Sequence, residues 1–171
     1  MAAVTLRQKP VTVDTNVLID LADRNTEVEA ALKAIRKRLK GTPVVITPTV
    51  VQELAWLVEN GDDEETRRLA YIATHDLRSR WQIYPINCEP EWHGVIGLAA
   101  QELRERGLLP VEEESDALII AESSLADCVL LMSSDGHMWE CDVNAVNAVL
   151  VGRHLNSIAI IPPWQIAKNY G

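Results

Sequence analysis

Four acidic residues of the sequence stand where apolar segments of the chain end or begin. Asp14 directly follows VTV, and Asp135 directly follows CVLLMSS. Glu53 lies within VVQELAWL, and Asp116 lies within ESDALIIAES. Carboxylates a few ångströms apart without counter-charges repel one another, and their pKa values rise until some are protonated. A hard divalent cation removes this cost, because Mg²⁺ and Mn²⁺ prefer oxygen ligands. Together the four acids predict a site for one or two such ions.

The chemistry that such a cluster indicates is metal-assisted hydrolysis of a phosphoester. The cation would orient and acidify a water, neutralise the scissile phosphate and stabilise the leaving oxygen. If two ions bind, they would lie about 4 Å apart.

The elements that must position these acids are strands alternating with helices. Short β-branched or apolar runs predict strands at 11–13, 44–46, 81–86, 128–134 and 157–161. Helical spacing of apolar residues, with proline and glycine at the ends, predicts helices at 27–40, 48–60, 62–81, 89–106, 116–126 and 142–155. We expect Thr47 and Ser115 to cap two of them.

This alternation predicts a three-layer α/β/α sandwich with a mainly parallel central sheet. In such a sheet the ligand crevice lies beyond the carboxyl ends of the strands, which is where the four acids are expected to meet. We expect residues 1–171 to form a single domain, with about 141–171 as a C-terminal helix-strand extension of it.

Composition limits the kind of protein. At 171 residues and 47% hydrophobic, the chain fits one globular domain with a substantial core. No run approaches the roughly 20 apolar residues that span a bilayer, and MAAVTLRQKP lacks the apolar region of an export signal. We therefore expect a soluble, cytoplasmic protein that does not contact a membrane. Three widely spaced cysteines argue against disulfides and a zinc site.

Charge divides the chain into two unlike halves. Residues 1–87 carry 12 Lys+Arg and 12 Asp+Glu, whereas residues 88–171 carry 4 and 13. Such an acidic field repels nucleic acid unless it is neutralised locally. A cationic group at Arg36, Lys37, Arg38 and Lys40 has two interpretations. It is either a solvated helix face, which is the simpler one, or a surface that contacts RNA phosphates.

The segments VDTNVLID, VVQELAWL, ESDALIIAES and LLMSSDGHMW, in that order, resemble the PIN-domain nucleases, a group that includes the VapC toxins of toxin-antitoxin pairs. The similarity spans about residues 11–140. It implies that Asp14, Glu53, Asp116 and Asp135 bind Mg²⁺ or Mn²⁺ and that water is the nucleophile.

The resemblance also suggests roles for two neutral residues. Asn16 is similar to the family's asparagine that holds a carboxylate in place, and Ser133 stands where the family usually has a threonine. The chain departs from the pattern after Asp135, where Gly136 and His137 replace a second acid and an aromatic. Among the five tryptophans, we expect Trp139 to be a candidate for base stacking and most of the others to lie in the core or an interface.

The function implied is a metal-dependent endoribonuclease, with the toxin of a toxin-antitoxin pair as one form of it. An aspartyl-nucleophile phosphohydrolase is an alternative, although position 16 is Asn and no lysine follows a later strand until Lys168. A non-catalytic interaction module is the other alternative. The expected partners are an RNA substrate, a second copy of the chain in a homodimer, and a small cognate antitoxin with a basic segment for the acidic cleft.

Overall fold

The computed structural model describes residues 8–171. Within these residues five strands form one all-parallel sheet, in the order β3-β2-β1-β4-β5. The strands are β1 (Val11–Val13), β2 (Val44–Ile46), β3 (Ile83–Pro85), β4 (Leu130–Met132) and β5 (Ala159–Ile161). β1, β2 and β4 consist mainly of β-branched and apolar residues, as expected for strands that are covered on both faces.

Helices connect the strands and complete a three-layer α/β/α sandwich. They are α1 (Thr15–Ala22), α2 (Thr26–Arg38), α3 (Pro48–Asn60), α4 (Glu64–Ser79), α5 (His93–Glu105), α6 (Glu114–Leu125), α7 (Gly136–Trp139), α8 (Val143–Gly152) and α9 (Pro163–Tyr170). A 3₁₀ turn at Pro90–Trp92 precedes α5. The fold class predicted from the sequence is confirmed.

The strand order reverses between β1 and β4. From β1 the chain adds β2 and β3 on one side, and it then returns to add β4 and β5 on the other. Val13 pairs with Met132, so β1 and β4 end level with each other. Ligands of open α/β sheets bind beyond the strand ends at such a reversal. The sheet therefore places its crevice directly after β1 and β4.

The five predicted strands are all present, but several predicted elements differ in detail. The helix predicted at 89–106 is divided into the 3₁₀ turn and α5, and Gly107, with φ of 67°, ends it. Ser115 does not cap α6, because that helix begins at Glu114. Thr47 is the N-cap of α3, but its side chain makes no capping hydrogen bond.

The C-terminal segment joins the sheet and a helical layer. β5 pairs with β4, and α9 packs against α2. In residues 8–171 no helix is long and apolar enough to cross a membrane. The N-terminal segment that we expect to lack an export signal falls mainly in residues 1–7, outside the described part of the chain.

Candidate functional site

Asp14 is held at the crevice by the strand before it and the helix after it. Its main-chain N–H donates to the Met132 carbonyl oxygen at 3.1 Å, which extends the β1–β4 pairing by one residue. Its carboxylate is the N-cap of α1 and accepts from the Val17 N–H at 2.8 Å. The residue is 3% exposed. Asp14 is thus a buried acid with a fixed orientation.

Ser133 links Asp14 to Asp135. The buried Ser133 hydroxyl donates to the Asp14 carboxylate, and it accepts from the Asp135 N–H at 3.0 Å. The Asp135 carboxylate accepts from the His137 N–H at 2.8 Å and caps the one-turn helix α7. The two acids that follow neighbouring strands therefore share one hydroxyl between them.

Glu53 and Asp116 reach the same place from two helices that pack together, α3 and α6. The Thr15 hydroxyl donates to Glu53 Oε2, which ties α3 to the start of α1. Asp116 lies in the first turn of α6, and its Oδ2 atom is buried without a hydrogen-bond partner. An unpartnered buried oxygen of this kind is costly unless a ligand or proton satisfies it.

All four acids line one open cleft of about 570 Å³. The acidic residues of its wall are Asp14, Glu53, Glu113, Glu114, Asp116 and Asp135, and the other lining residues are Thr15, Asn16, Thr49, Gln52, Trp56, Leu57, Ser115, Leu118 and Ile119. Among the described residues that line the cleft, none is Lys, Arg or His. The ion pairs found in residues 8–171 involve other acids.

Two of the carboxyl groups are electrostatically strained. Burial raises the pKa of Asp14 to about 7, and the charges of Asp135 and Glu53 add to this, against hydrogen bonds from Ser133 and Val17 that lower it. Burial likewise raises the pKa of Asp116 to about 7, assisted by the charges of Asp135, Glu113, Asp14 and Glu53. The charges of Glu53 and Asp135 therefore act on the ionisation of Asp14 and Asp116, as expected for acids that line one cleft.

Comparison with known proteins agrees with this arrangement. The model of the PIN domain family matches residues 11–142, most of the chain. The chain belongs to the PIN domain family. PIN domains are generally nucleases.

One similar solved structure is a chain of VapBC2 from Rickettsia felis, bound to a DNA fragment from their promoter. The match has a TM-score of 0.58 and 14% identity, and it covers 89% of this chain and 97% of that chain. At this identity it shows the fold alone. Comparison with curated proteins finds no matching sequence.

The donor set of this PIN domain fits a hard divalent cation. The four acids offer only oxygen atoms, no cation neutralises them within the described cleft, and Asp116 Oδ2 has no partner. Among residues 8–171, however, no three His, Cys, Asp or Glu side chains converge as a ready-made metal site. Glu53 is turned to Thr15 and Asp14 to Ser133.

The other residues predicted for the site lie in two different places. Asn16 lines the cleft, but its side chain is exposed and makes no hydrogen bond to the four acids in the described structure. The cationic group Arg36, Lys37, Arg38 and Lys40 lies at the end of α2 and just after it. Because α2 leads into the start of β2, these four residues are at the amino edge of the sheet, opposite the cleft. The Arg38 Nε atom donates to the Tyr170 carbonyl oxygen there, at 3.2 Å.

Several residues of the cleft were not predicted from the sequence. Thr15, next to Asp14, holds Glu53. Trp56, expected in the core or an interface, is 58% exposed and forms part of the cleft wall. Helical spacing offered one signal for Trp56, because it lies three residues after Glu53 and hence on the same side of α3.

Proposed function

We propose that the protein is a metal-dependent endoribonuclease that hydrolyses RNA phosphodiester bonds in the acidic cleft. One observation carries this proposal. Four acids from separate parts of the chain line one open cleft, and its described wall contains no basic side chain. The four acids are Asp14, Glu53, Asp116 and Asp135. These four residues would hold Mg²⁺ or Mn²⁺, as one or two ions. The metal would supply charge neutralisation at the phosphate and acidification of the attacking water.

The residues of the chain would contribute the orientation of the acids. Ser133 keeps Asp14 and Asp135 in a fixed relationship, and Thr15 restrains Glu53. Asp116 has a free, buried Oδ2 atom and a pKa raised to about 7. In the metal-free protein this group can hold a proton near neutral pH, and a bound cation would displace that proton. Because burial and repulsion hold protons on Asp14 and Asp116, metal binding would release protons.

The test is cleavage of total RNA by the purified protein with and without Mn²⁺. We expect cleavage only with metal. We expect Asp14→Asn and Asp116→Asn to lower cleavage by more than about 100-fold. Loss of a residue that only hydrogen-bonds to a metal ligand costs about 10- to 100-fold, and these substitutions change the ligands themselves. Asp62→Asn, an exposed acid outside the cleft, serves as the control. Cleavage that survives in Asp116→Asn contradicts the proposal. A phosphate trapped covalently on Asp14 would favour the aspartyl-nucleophile alternative.

We also propose that this nuclease is the toxin of a toxin-antitoxin pair and that it forms a homodimer. The likeness of its fold to a chain of a VapBC2 complex supports the first part. An apolar groove of about 580 Å³ between α3 and α4 supports a protein partner, because it includes Val51 at 39% and Tyr71 at 54% exposure.

Induced expression tests the toxin proposal. We expect growth arrest that the product of a neighbouring reading frame relieves, and arrest should be lost in Asp116→Asn. Light scattering of the purified protein tests the homodimer. A mass near the 19.0 kDa of one chain at micromolar concentration would exclude a stable dimer without touching the nuclease proposal.

A further inference from the structure

A large aromatic side chain stands exposed in the wall of the acidic cleft. Trp56 lies one turn after Glu53 on α3 and is 58% exposed, the largest exposure among the described tryptophans. Residues three apart on a helix lie on the same side, and both residues line the cleft. The exposed indole therefore offers a large apolar face to a ligand that enters the acidic cleft.

The cleft around Trp56 has a different character from the acidic part. Leu57 and Leu118, both partly buried, and the buried Ile119 contribute apolar wall. Gln52 is exposed, lines the same cleft and lies four residues before Trp56 on α3. This part therefore combines an aromatic face with an amide that can both donate and accept hydrogen bonds.

The charge of the cleft wall limits the ways in which it could hold a polyanion. The described wall holds six acids and no Lys, Arg or His, so phosphate contacts by basic side chains and the counterion release they produce are not available there. A bound divalent cation would neutralise one phosphate but would not hold the flanking nucleotides. Base stacking on an aromatic ring is attractive for every base and needs no positive charge.

We propose that Trp56 is the stacking platform for an unpaired nucleobase of a single-stranded nucleic acid, adjacent to the phosphodiester that is cut, with Gln52 contacting the edge of that base. The inference rests on the proposed nuclease function. It places the bound strand across the carboxyl edge of the sheet, with its phosphate at the acids and the neighbouring base on α3. Bases inside a duplex are covered on both faces by the neighbouring base pairs, so duplexes are poor ligands.

The kinetic test compares Trp56→Ala and Trp56→Phe with wild type on a single-stranded oligoribonucleotide and on its duplex. We expect Trp56→Ala to raise KM about tenfold with little change in kcat, because stacking away from the reacting atoms contributes to substrate and transition state alike. Trp56→Phe should recover most of the loss. Trp92→Ala, which removes a tryptophan of 42% exposure outside the cleft, should match wild type.

A second measurement follows binding without turnover. In an Asp116→Asn background, anisotropy of a labelled oligoribonucleotide gives Kd for strands carrying one abasic site at successive positions. We expect one position where the abasic site weakens binding about tenfold with Trp56 present and has no further effect with Trp56→Ala. Additive losses at every position, or a Trp56→Ala variant with unchanged KM and Kd, overturn the inference.

The two proposals fail in different ways. If the wild-type protein cleaves RNA and Trp56→Ala has the same KM, the nuclease proposal stands and the stacking proposal is wrong. If binding depends on Trp56 but no metal-dependent cleavage is found, the stacking proposal stands and the nuclease proposal is wrong. If Trp56→Ala instead converts a dimer to a monomer and leaves Kd unchanged, Trp56 belongs to a protein interface, and the inference is wrong.

Discussion

The Glu122 carboxylate accepts hydrogen bonds from both the main-chain N–H and the hydroxyl of Thr49, at 3.2 and 2.8 Å. Glu122 lies six residues after Asp116 on α6, and Thr49 lies four residues before Glu53 on α3. Glu122 as a whole residue is 7% exposed. It satisfies a free N–H in the first turn of α3, where the helix dipole favours a negative charge. This contact fixes the two helices that carry half of the acidic cluster.

We expect Glu122→Ala to lower the free energy of unfolding by about 2–4 kcal/mol. Hydrogen bonds to a charged group contribute about 1.5–3 kcal/mol net, and the substitution leaves buried donors of Thr49 without an acceptor. Thr49→Val removes only the hydroxyl bond and should cost about 1 kcal/mol. Urea denaturation of the metal-free protein measures both values.

The matched control is Glu112→Ala, which replaces an exposed glutamate just before α6. A surface substitution of this kind should stay within about 0.5 kcal/mol of wild type. In addition, the cost of Thr49→Val should shrink when Glu122 is already alanine, because the two residues share the contact. Equal stabilities of Glu122→Ala and Glu112→Ala would show that the contact contributes nothing to folding.

The raised pKa of Asp14 makes the stability of the metal-free protein depend on pH. Its pKa is about 7 in the folded chain against 3.8 for an ordinary aspartate. Between these values the folded state binds more protons than the unfolded state, so the contribution of Asp14 is full below pH 3.8 and is lost as pH rises through 7. For a fully buried group the slope approaches about 1.4 kcal/mol per pH unit.

Asp14→Asn removes this dependence and keeps an N-cap residue of α1. We expect its stability relative to wild type to increase from pH 5 to about pH 7 in metal-free buffer and to level off above that pH, where Asp14 is ionised in the folded chain as well. Urea denaturation of both proteins at each pH gives the difference directly. A difference that is constant over this range would mean that Asp14 ionises normally in the folded chain.

The strand-end acids were predictable because one rule places both of them. Asp14 and Asp135 each follow a short apolar strand, and parallel strands bring their carboxyl ends to one edge. The position of the α2 cations follows from the same rule, since a crossover helix ends at the amino edge of the sheet. The short helix α1 was not predicted, because its eight residues TNVLIDLA show too few turns for helical periodicity to be recognised.

The contacts that orient the acids could not be predicted from the sequence. Thr15 and Glu53 are 38 residues apart, and Thr49 and Glu122 are 73 apart. Each pair meets only because α3 packs against α1 and α6. The exposure of Trp56 could not be predicted for another reason. In α3 the apolar residues Val50 and Leu54 are buried while Val51 and Trp56 are exposed, so the pattern does not identify a single buried face.

Removal of the Ser133 hydroxyl should move the pH dependence of cleavage to higher pH. Its hydrogen bond lowers the pKa of Asp14 against the effect of burial. In Ser133→Ala that pKa should rise further, so more of the protein is protonated at pH 7 and metal must displace that proton. We expect the Mn²⁺ concentration for half-maximal cleavage at pH 7 to increase about 10- to 100-fold.

The measurement is kcat/KM from pH 5.5 to 9 at fixed Mn²⁺. A useful control is Thr12→Val, because the Thr12 hydroxyl is also buried, in the middle of β1, but donates to Ser123 and to none of the four acids. Thr12→Val should lose stability and keep the wild-type pH profile. If Ser133→Ala loses activity equally at every pH, then Ser133 acts through packing and not through the ionisation of Asp14.

Mn²⁺ should stabilise the folded protein, because only the folded state brings the four acids together in one cleft. A ligand at 100 times its Kd adds about 2.7 kcal/mol. For a chain of this length each kcal/mol corresponds to about 2–4 °C in Tm, so we expect a rise of about 5–11 °C. Asp116→Asn should lose most of the rise, and Asp62→Asn, outside the cleft, should keep it. Differential scanning calorimetry with and without Mn²⁺ measures these Tm values. A wild-type Tm that is unchanged by Mn²⁺ would favour a non-catalytic interaction module over a nuclease.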